Sequence, residues 1–289
     1  MQSFSLTGAD SARIVAYRSM PKGEPKAIVQ IAHGLGEHFK RYARLAAALN
    51  AAGYAVYGND HRGHGQTAGA DALGQFGEGG FQAVVDDMAA LTAVAKREVP
   101  GKPFVLLGHS MGSFAAQRYL LEHSDELAAL VLSGTAAADL LVAHIMASGG
   151  PGGLGAFNGA FEPARTGFDW LSRDAAEVDA YIADPLCGFD LDAASAQSLF
   201  MLAGGARADP RIHDVRKSLP VYVISGEFDP VVGPGQSFAN ALIDSYRAAG
   251  LTDITHRVYP GGRHEMFNET NRAEVEADLV AWLNGAVAK

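Results

Sequence analysis

The chain has 289 residues, 48% of them hydrophobic, and a formal net charge of −9 at pH 7. This length suits one large domain or a domain with an insertion, and the hydrophobic fraction predicts a well-buried core. The negative charge argues against nucleic acids and anionic membrane surfaces as binding partners.

Short apolar runs alternate with helical patterns along the chain. Residues 4–6 and 13–17 are predicted to form a short antiparallel pair at one edge of a sheet. The other predicted strands are apolar and span residues 27–32, 54–58, 104–107, 127–133, 221–225 and 255–259. The main predicted helices cover residues 41–52, 81–99, 234–249 and 271–286. Unbroken apolar strands between helices indicate an α/β fold with a mostly parallel, doubly wound sheet that is covered on both faces.

One long segment interrupts this alternation. About 85 residues separate the end of the fourth apolar strand, near Gly134, from the start of the fifth, near Pro220, whereas a crossover needs only about a dozen. We interpret residues 137–214 as an inserted helical cap, or lid, between two parts of the core, residues 1–136 and 215–289. Short helices are expected near 140–146, 175–182 and 193–202, and the glycine-dense loop at 149–155 is expected to let the cap open.

The sequence Gly108-His109-Ser110-Met111-Gly112 is the most informative motif of the chain. It lies between an apolar strand and a helical pattern, which is the setting of a serine held on a sharp turn with an exposed hydroxyl. The two glycines are expected because a side chain at either position would collide with neighbouring backbone. Ser110 is therefore the candidate nucleophile.

A serine nucleophile needs a base, and the base needs a carboxylate that holds its tautomer. On this type of sheet the order along the chain is serine, acid, histidine. Asp229 follows the fifth apolar strand and His264 follows the sixth, so both are expected at the same sheet edge as Ser110. Glu227 is the alternative acid, and Asp229 is favoured because Pro230 fixes a turn directly after it. His109 is interpreted as a packing and hydrogen-bonding residue of the turn.

Two backbone amides are expected to bind the oxyanion of the reaction. One is the N–H of Met111, directly after the nucleophile, and the other is the N–H of Leu35 in the glycine-rich loop after the first apolar strand. His33 and His38 flank that loop, but no third ligand at a suitable spacing accompanies them. We therefore expect no metal site and no organic cofactor.

Five motifs together resemble the α/β-hydrolase superfamily, and more narrowly its monoacylglycerol lipase and lysophospholipase-like branch. They are His33-Gly34-Leu35-Gly36-Glu37-His38, Asp60-His61-Arg62-Gly63-His64-Gly65, the Ser110 motif, residues 225–232 and Gly262-Arg263-His264-Glu265. The resemblance implies an α/β-hydrolase fold and a serine hydrolase of carboxylic esters, with Ser110, Asp229 and His264 as its catalytic triad. It also implies that Glu37 and Arg41 organise the polar end of the pocket. A buried loop-to-helix ion pair is the alternative interpretation of these two residues.

The cap is expected to supply an apolar pocket for the acyl chain. The candidate pocket residues are Leu140, Leu141, Ile145, Met146, Leu154 and Phe157. The alternative is that this stripe is the underside of the cap packed on the core. The predicted substrates are monoacylglycerol-like or other lipid or short-to-medium acyl esters, cleaved through an acyl-enzyme.

Other functions use the same residues or the same fold. Small non-lipid esters, thioesters and amides are alternative substrates for the same triad, and a lyase or perhydrolase is an alternative enzyme. A non-catalytic ligand-binding protein is an alternative of a different class. Cys187 is the only cysteine, which excludes an intramolecular disulfide. Because no apolar run reaches 18 residues and the first residues lack a leader pattern, we expect a cytoplasmic protein without a membrane-spanning segment.

Overall fold

The computed structural model describes residues 1–8, 10–150 and 152–288. Its centre is an eight-stranded sheet. The strands are β1 (Gln2–Thr7), β2 (Arg13–Ser19), β3 (Ala27–Ala32), β4 (Tyr54–Asn59), β5 (Phe104–His109), β6 (Ala129–Ser133), β7 (Val221–Gly226) and β8 (Ile254–Tyr259). All eight predicted strands are present, and most end within two residues of their predicted bounds.

The sheet is parallel apart from one edge. The strand order is β1-β2-β4-β3-β5-β6-β7-β8, and antiparallel pairing is confined to β1–β2 and β2–β4, so only β2 runs opposite to the other strands. The strands from β4 to β8 are joined by parallel pairing. Because their carboxyl ends meet at one edge, the loops after β3, β5, β7 and β8 converge there. The predicted mostly parallel sheet is confirmed.

Helices cover both faces of this sheet. They are α1 (Ala43–Ala51), α2 (Gly65–Ala68), α3 (Gly80–Glu98), α4 (Met111–His123), α5 (Ala138–Ala147), α6 (Ala175–Ala183), α7 (Ala193–Ala206), α8 (Ser237–Ala248) and α9 (Arg272–Ala286). The helix predicted from residue 234 starts later, at Ser237. Gly235 has φ of 58°, which is incompatible with a continuous right-handed helix.

Alternate side chains of the buried strands enter two separate cores. Ile28 and Leu106 pack with α3, α4 and α8 on one face, whereas Val29 and Leu107 pack with α1 and α9 on the other. The strand β8 departs from the predicted unbroken burial, since its exposed and half-buried residues alternate. It lies at the sheet edge, where Thr255 and other outward side chains reach solvent.

The segment between β6 and β7 contains α5, α6 and α7 with short 3-10 helices at Leu154–Phe161 and Pro210–Asp214. We call residues 137–214 the cap. Its buried apolar residues, among them Leu141 and Leu199, belong to the same core cluster as α3 and α4. The cap is thus packed directly on one face of the core. Within the described residues, no helix has the length and apolar character needed to cross a membrane.

Candidate active site

Ser110 lies on the turn between β5 and α4. Its φ of 52° and ψ of −122° place it in a conformation that non-glycine residues rarely adopt. The turn is held in place because the Ser110 N–H donates to the Ser133 carbonyl, 2.9 Å away, while the Ser110 carbonyl accepts from the N–H of Ser113 at 2.8 Å. A strained residue of this kind persists only where its surroundings fix it, and such residues concentrate at functional sites.

The two glycines beside Ser110 are required by close backbone contacts. A Cβ atom at Gly108 would collide with the carbonyl of Gly112 at the start of α4. A Cβ atom at Gly112 would collide with the carbonyls of Ala32 and His33 at the end of β3. The glycines therefore let the turn and α4 approach β3, as the motif predicts.

Asp229 and His264 come together at the ends of β7 and β8. His264 Nδ1 lies 2.9 Å from Asp229 Oδ1, and the two residues are only 2% and 3% exposed. Burial alone would lower the pKa of His264, but the Asp229 carboxylate, helped by Glu265 and Glu37, raises it above the usual histidine value. Glu227, the alternative acid, is exposed and accepts the Gly261 N–H instead.

Ser110 and His264 line the same cavity at the carboxyl edge of the sheet. The core side of its wall consists of Gly34, Leu35, Glu37, His109, Ser110, His264 and Glu265. We call these residues the core wall. They come from the loops after β3, β5 and β8, so the sheet brings together segments that are far apart in sequence.

The opposite side of the cavity comes from the cap. Leu154, Trp170, Leu171 and Tyr181 form this side, which we call the cap wall. The Trp170 ring lies 4.8 Å from the His264 imidazole, measured between centroids. The cap therefore contacts the candidate catalytic base directly.

The cavity is almost filled by its own walls. Its volume is about 10 Å³, which is room for about one water molecule. An ester substrate needs far more space than this. In the conformation described, the cap therefore narrows the space over the partly exposed Ser110, and an ester fits there only after part of the wall moves.

The two candidate oxyanion donors lie at the start of α4 and in the turn after β3. Met111 is the first residue of α4, so its N–H has no acceptor within the helix. Leu35 lies in the turn after β3 and is part of the core wall. That turn is held by Glu37, whose Oε1 accepts the Gly34 N–H at 2.6 Å.

Glu37 and Arg41 form the buried loop-to-helix ion pair that was one of the two interpretations. Arg41 Nη1 lies 2.8 Å from Glu37 Oε2, and Tyr42 donates its hydroxyl to Glu37 Oε1 at 2.7 Å. Arg41 also makes a two-pronged contact with Glu265 and lies over the Tyr181 ring, 4.8 Å from its centroid. Because Glu37 also belongs to the core wall, the ion pair lies beside the cavity and contributes a polar group to its lining.

The candidate acyl-pocket residues separate into three groups. Leu154 belongs to the cap wall. Leu141 is buried, and Leu140, Ile145 and Phe157 are partly buried against the core, but these four do not line the cavity. Met146 is 59% exposed and also lies outside the lining. In this conformation most of the stripe packs as the underside of the cap.

The histidine-rich loops brace the core wall. His33 Nε2 accepts the N–H of His61 at 2.9 Å, and the His33 ring packs against those of His61 and His64. Burial lowers the pKa of His33 to about 4 and that of His109 to about 4, so both are neutral near pH 7. His109 lies 3.3 Å from the Ser133 hydroxyl and packs on the His264 ring, as expected of a packing residue.

Besides Gly34 and His109, which belong to motifs discussed above, the cavity is lined by four residues that were not sequence candidates: Trp170, Leu171, Tyr181 and Glu265. Glu265 directly follows His264 in one of the five motifs, so its position was a usable signal. The three cap residues lie where no chemical motif marks them. Only their tertiary placement against the His264 loop identifies them.

Comparison with known proteins extends along nearly the whole chain. A family model described as "Serine aminopeptidase, S33" matches residues 23–271. A monoacylglycerol lipase of Mycolicibacterium smegmatis is 32% identical over an alignment of 295 residues, which covers 96% of this chain and 95% of the lipase. The alignment thus includes both the core and the cap.

Two solved structures share the fold. A highly thermostable carboxyl esterase from Bacillus coagulans, in complex with glycerol, has a TM-score of 0.85 at 29% identity and covers 99% of this chain and 98% of its own. A monoacylglycerol lipase from Paleococcus ferrophilus has a TM-score of 0.69 at 26% identity, covering 94% of this chain and 99% of its own. The expected α/β-hydrolase fold is confirmed.

Proposed function

Because the chain belongs to the serine aminopeptidase S33 family of α/β-hydrolases, we propose that it is a serine carboxylic-ester hydrolase that acts on monoacylglycerol-like lipid esters. The observation that carries the chemistry is the buried contact of His264 with Asp229, in a cavity that Ser110 also lines. The lipid class of the substrate is supported by the full-length similarity to the M. smegmatis monoacylglycerol lipase.

In the first step, Ser110 Oγ attacks the ester carbonyl while His264 Nε2 takes the hydroxyl proton. Asp229 accepts a hydrogen bond from His264 Nδ1, which leaves Nε2 free as the base and stabilises the imidazolium that forms. The raised pKa of His264 favours this proton transfer. The proton then passes to the leaving alcohol, and the acyl group stays on Ser110.

The amides of Met111 and Leu35 bind the oxyanion of the tetrahedral intermediate in this proposal. Met111 adds the positive end of the α4 dipole, because it is the first residue of that helix. In the second step, His264 takes a proton from water, and the resulting hydroxide attacks the acyl carbonyl. The Ser110 hydroxyl is regenerated and a carboxylic acid leaves.

The cavity has an apolar and a polar end, and this polarity suits an amphiphilic ester. Leu154, Trp170 and Leu171 supply apolar surface from the cap, whereas Glu37 and Glu265 supply carboxylate oxygens from the core. We assign the acyl chain to the apolar end and the hydroxyl-bearing alcohol to the polar end. Arg41 pairs with both carboxylates and holds them in place.

Substrate entry requires part of the cap to move, and we assign this motion to the glycines at 149, 150 and 153; Pro151 lies outside the described residues. Gly149, Gly150 and Gly153 have φ values of 108°, 90° and 73°, a left-handed region in which glycine is the favoured residue. Amide hydrogen exchange over 149–155 should therefore be faster than over β5. Slower exchange than β5 would contradict this assignment.

The family description also raises peptide amides as substrates. An aminopeptidase needs a free anionic group for the substrate ammonium, but Glu37 and Glu265, the carboxylates of the cavity wall, already pair with Arg41. A new ammonium ion would have to compete with a buried guanidinium. The site therefore favours esters.

A substrate panel tests the proposal. The purified protein is assayed with monoacylglycerols of increasing chain length, lysophosphatidylcholine, p-nitrophenyl acetate and an aminoacyl p-nitroanilide, each beside S110A. We expect the highest kcat/KM with a monoacylglycerol and none of this turnover with S110A. Turnover of the acetate alone would point to small esters, and turnover of the anilide alone to a peptidase. Absence of all turnover and of fluorophosphonate labelling would point to a ligand-binding protein.

A further inference from the structure

A cluster of three metal-ligating side chains lies at the junction of cap and core, outside the cavity wall. We propose that His38, Asp184 and Cys187 form a binding site for a thiophilic divalent cation such as Zn²⁺, which links the cap to the core. His38 belongs to the core loop before α1, whereas Asp184 and Cys187 follow α6 in the cap. A cation held by all three would therefore bridge the two regions.

The geometry of the three groups suits one ion. Their ligand atoms lie within 4.8 Å of one another, and His38 Nε2 is 2.9 Å from Asp184 Oδ2. Ligands of a tetrahedral zinc ion stand roughly 3.5 Å apart, given bonds of about 2.0–2.3 Å. Side-chain rotations that shift these atoms by about 1 Å would bring them to the spacing of zinc ligands. A water molecule would fill the fourth coordination position.

The donor set is one that zinc prefers. Imidazole nitrogen, thiolate sulfur and carboxylate oxygen are its three usual protein ligands, and the thiolate favours zinc over magnesium or calcium. On binding, the Cys187 thiol releases its proton to solvent and the sulfur donates an electron pair to the ion. The His38 Nε2 proton, which faces Asp184 in the metal-free arrangement, is lost to solvent, and Nε2 binds the ion while Nδ1 carries the ring proton.

The charges around the cluster also call for a cation. Glu37, Glu265 and Asp184 lie close enough to act on the Cys187 thiol, and only Arg41 among these neighbours opposes them. His38 is 6% exposed, but the Asp184 side chain is 33% exposed, so an ion can reach the site from solvent.

The backbone beside the cluster already joins the same two loops. The Gly188 N–H, next to Cys187, donates to the Gly36 carbonyl at 2.9 Å, within the turn that carries Leu35. Spacing along the chain could not reveal this site, because His38 and Asp184 are 146 residues apart. The sequence near His38 offers no further ligand at a suitable spacing. In the fold, the additional ligands, Asp184 and Cys187, come from the cap.

Cross-linking at this position would hold the cap over Ser110. We therefore expect Zn²⁺ to inhibit ester turnover reversibly, an effect that rests on the proposed function. Binding of the ion does not rest on it, so the two can be tested separately.

Binding is tested with Co²⁺, which reports thiolate coordination by a charge-transfer absorption. The full-length protein is freed of metal with a chelator, kept reduced, and titrated with CoCl₂ and then with ZnCl₂. We expect the absorption in the wild type, its displacement by Zn²⁺, and its loss in C187S. D184N should bind at least roughly 10- to 100-fold more weakly, since even outer-shell partners have effects of that size. Cap variant H213N, at an exposed histidine outside the cluster, should bind like the wild type.

The outcomes separate the claims. If no charge-transfer absorption appears, or if it persists in C187S, the site does not exist as proposed. If cobalt binds as expected but Zn²⁺ inhibits wild type and C187S equally, the inhibitory role is wrong and inhibition arises at another site. If the chain hydrolyses no ester, the proposed function fails, while the cobalt titration still decides whether the metal site exists.

Discussion

The core wall and the cap wall of the cavity differ in what holds them. Ser110 on the core wall is placed by a strand end and by glycines that permit close backbone packing. The cap wall residues Trp170 and Tyr181 are placed by contacts with loops more than 80 residues away in sequence. In the proposed mechanism, the sheet edge thus supplies the reaction chemistry, and the cap controls access to it.

The contacts that attach the cap to the core are unevenly distributed along the cap. Near its centre the N–H of Glu265 donates to the Leu171 carbonyl at 2.8 Å, and that of His264 to the Trp170 carbonyl at 3.3 Å. Glu269 adds a buried carboxylate that binds the N–H and side chain of Arg173. Gly149, Gly150 and Gly153, by contrast, have left-handed φ values. Opening is therefore expected on the glycine side, with the Trp170 segment left on the core.

The largest expected effect comes from the core wall. The substitution S110A should lower kcat by roughly 10⁶-fold, the loss seen when a triad nucleophile is removed. It is measured with the best ester of the substrate panel, beside S148A in an exposed part of the cap, which should keep wild-type turnover. Equal activity of S110A and S148A would show that the chemistry lies elsewhere.

The second prediction distinguishes the two candidate acids. D229N should lower kcat by about 10⁴-fold, because it removes the charge that holds the tautomer of His264 and stabilises its imidazolium. The base works only when neutral, so activity falls as the pH drops through the pKa of His264. Since Asp229 raises that pKa, the acid limb of residual activity should move to lower pH in D229N.

The matched control for this prediction is E227Q, which alters an exposed carboxylate two residues away. It should change kcat by less than about 10-fold and leave the acid limb in place. A larger loss in E227Q than in D229N would reverse the assignment of the acid.

The third prediction concerns the ion pairs through which Arg41 joins two loops of the core wall. R41Q leaves Glu37 and Glu265 buried without their cation and should destabilise the protein by about 3–5 kcal/mol. That corresponds to a fall in Tm of roughly 6–12 °C by thermal denaturation. The exposed neighbour variant K40Q should stay within about 0.5 kcal/mol of the wild type. If R41Q and K40Q have the same Tm, Arg41 does not stabilise the contact between the Glu37 and Glu265 loops.

The smallest expected effect tests the glycine side of the cap. G150A places a Cβ on a residue with φ of 90° and should destabilise the protein by about 1 kcal/mol. G155A, in the Leu154–Phe161 helix and also in open space, should be neutral or slightly stabilising. The sign of the difference in Tm between the two variants is the readout. Equal Tm values would mean that the loop conformation does not contribute to closure.

The sequence was informative wherever function depends on local geometry. The Ser110 turn, the Glu37 loop and the His264 loop each carry their own motif, because a sharp turn after a strand requires glycines and polar side chains at fixed spacing. The strands were equally readable, since burial on both faces demands unbroken apolar runs. The prediction that Met146 lines an acyl pocket has no such basis, and Met146 is 59% exposed in this conformation.

The rest of the site depends on tertiary packing that no local pattern records. Trp170 contacts His264 only because the cap folds back onto the loop after β8. Cys187 meets His38 for the same reason, although its single occurrence in the sequence excluded only an intramolecular disulfide. The sequence pattern of apolar cap residues is the same whether they face the core or a substrate.

Mapping the site of a covalent fluorophosphonate adduct tests the central claim most directly. The wild-type protein is treated with the reagent, digested and examined by tandem mass spectrometry. We predict one adduct on the peptide that contains Ser110, located on its Oγ, and slower labelling of D229N at the same residue. An adduct on another serine of the active wild-type enzyme would contradict the assignment of Ser110 and of the core wall as the source of the chemistry.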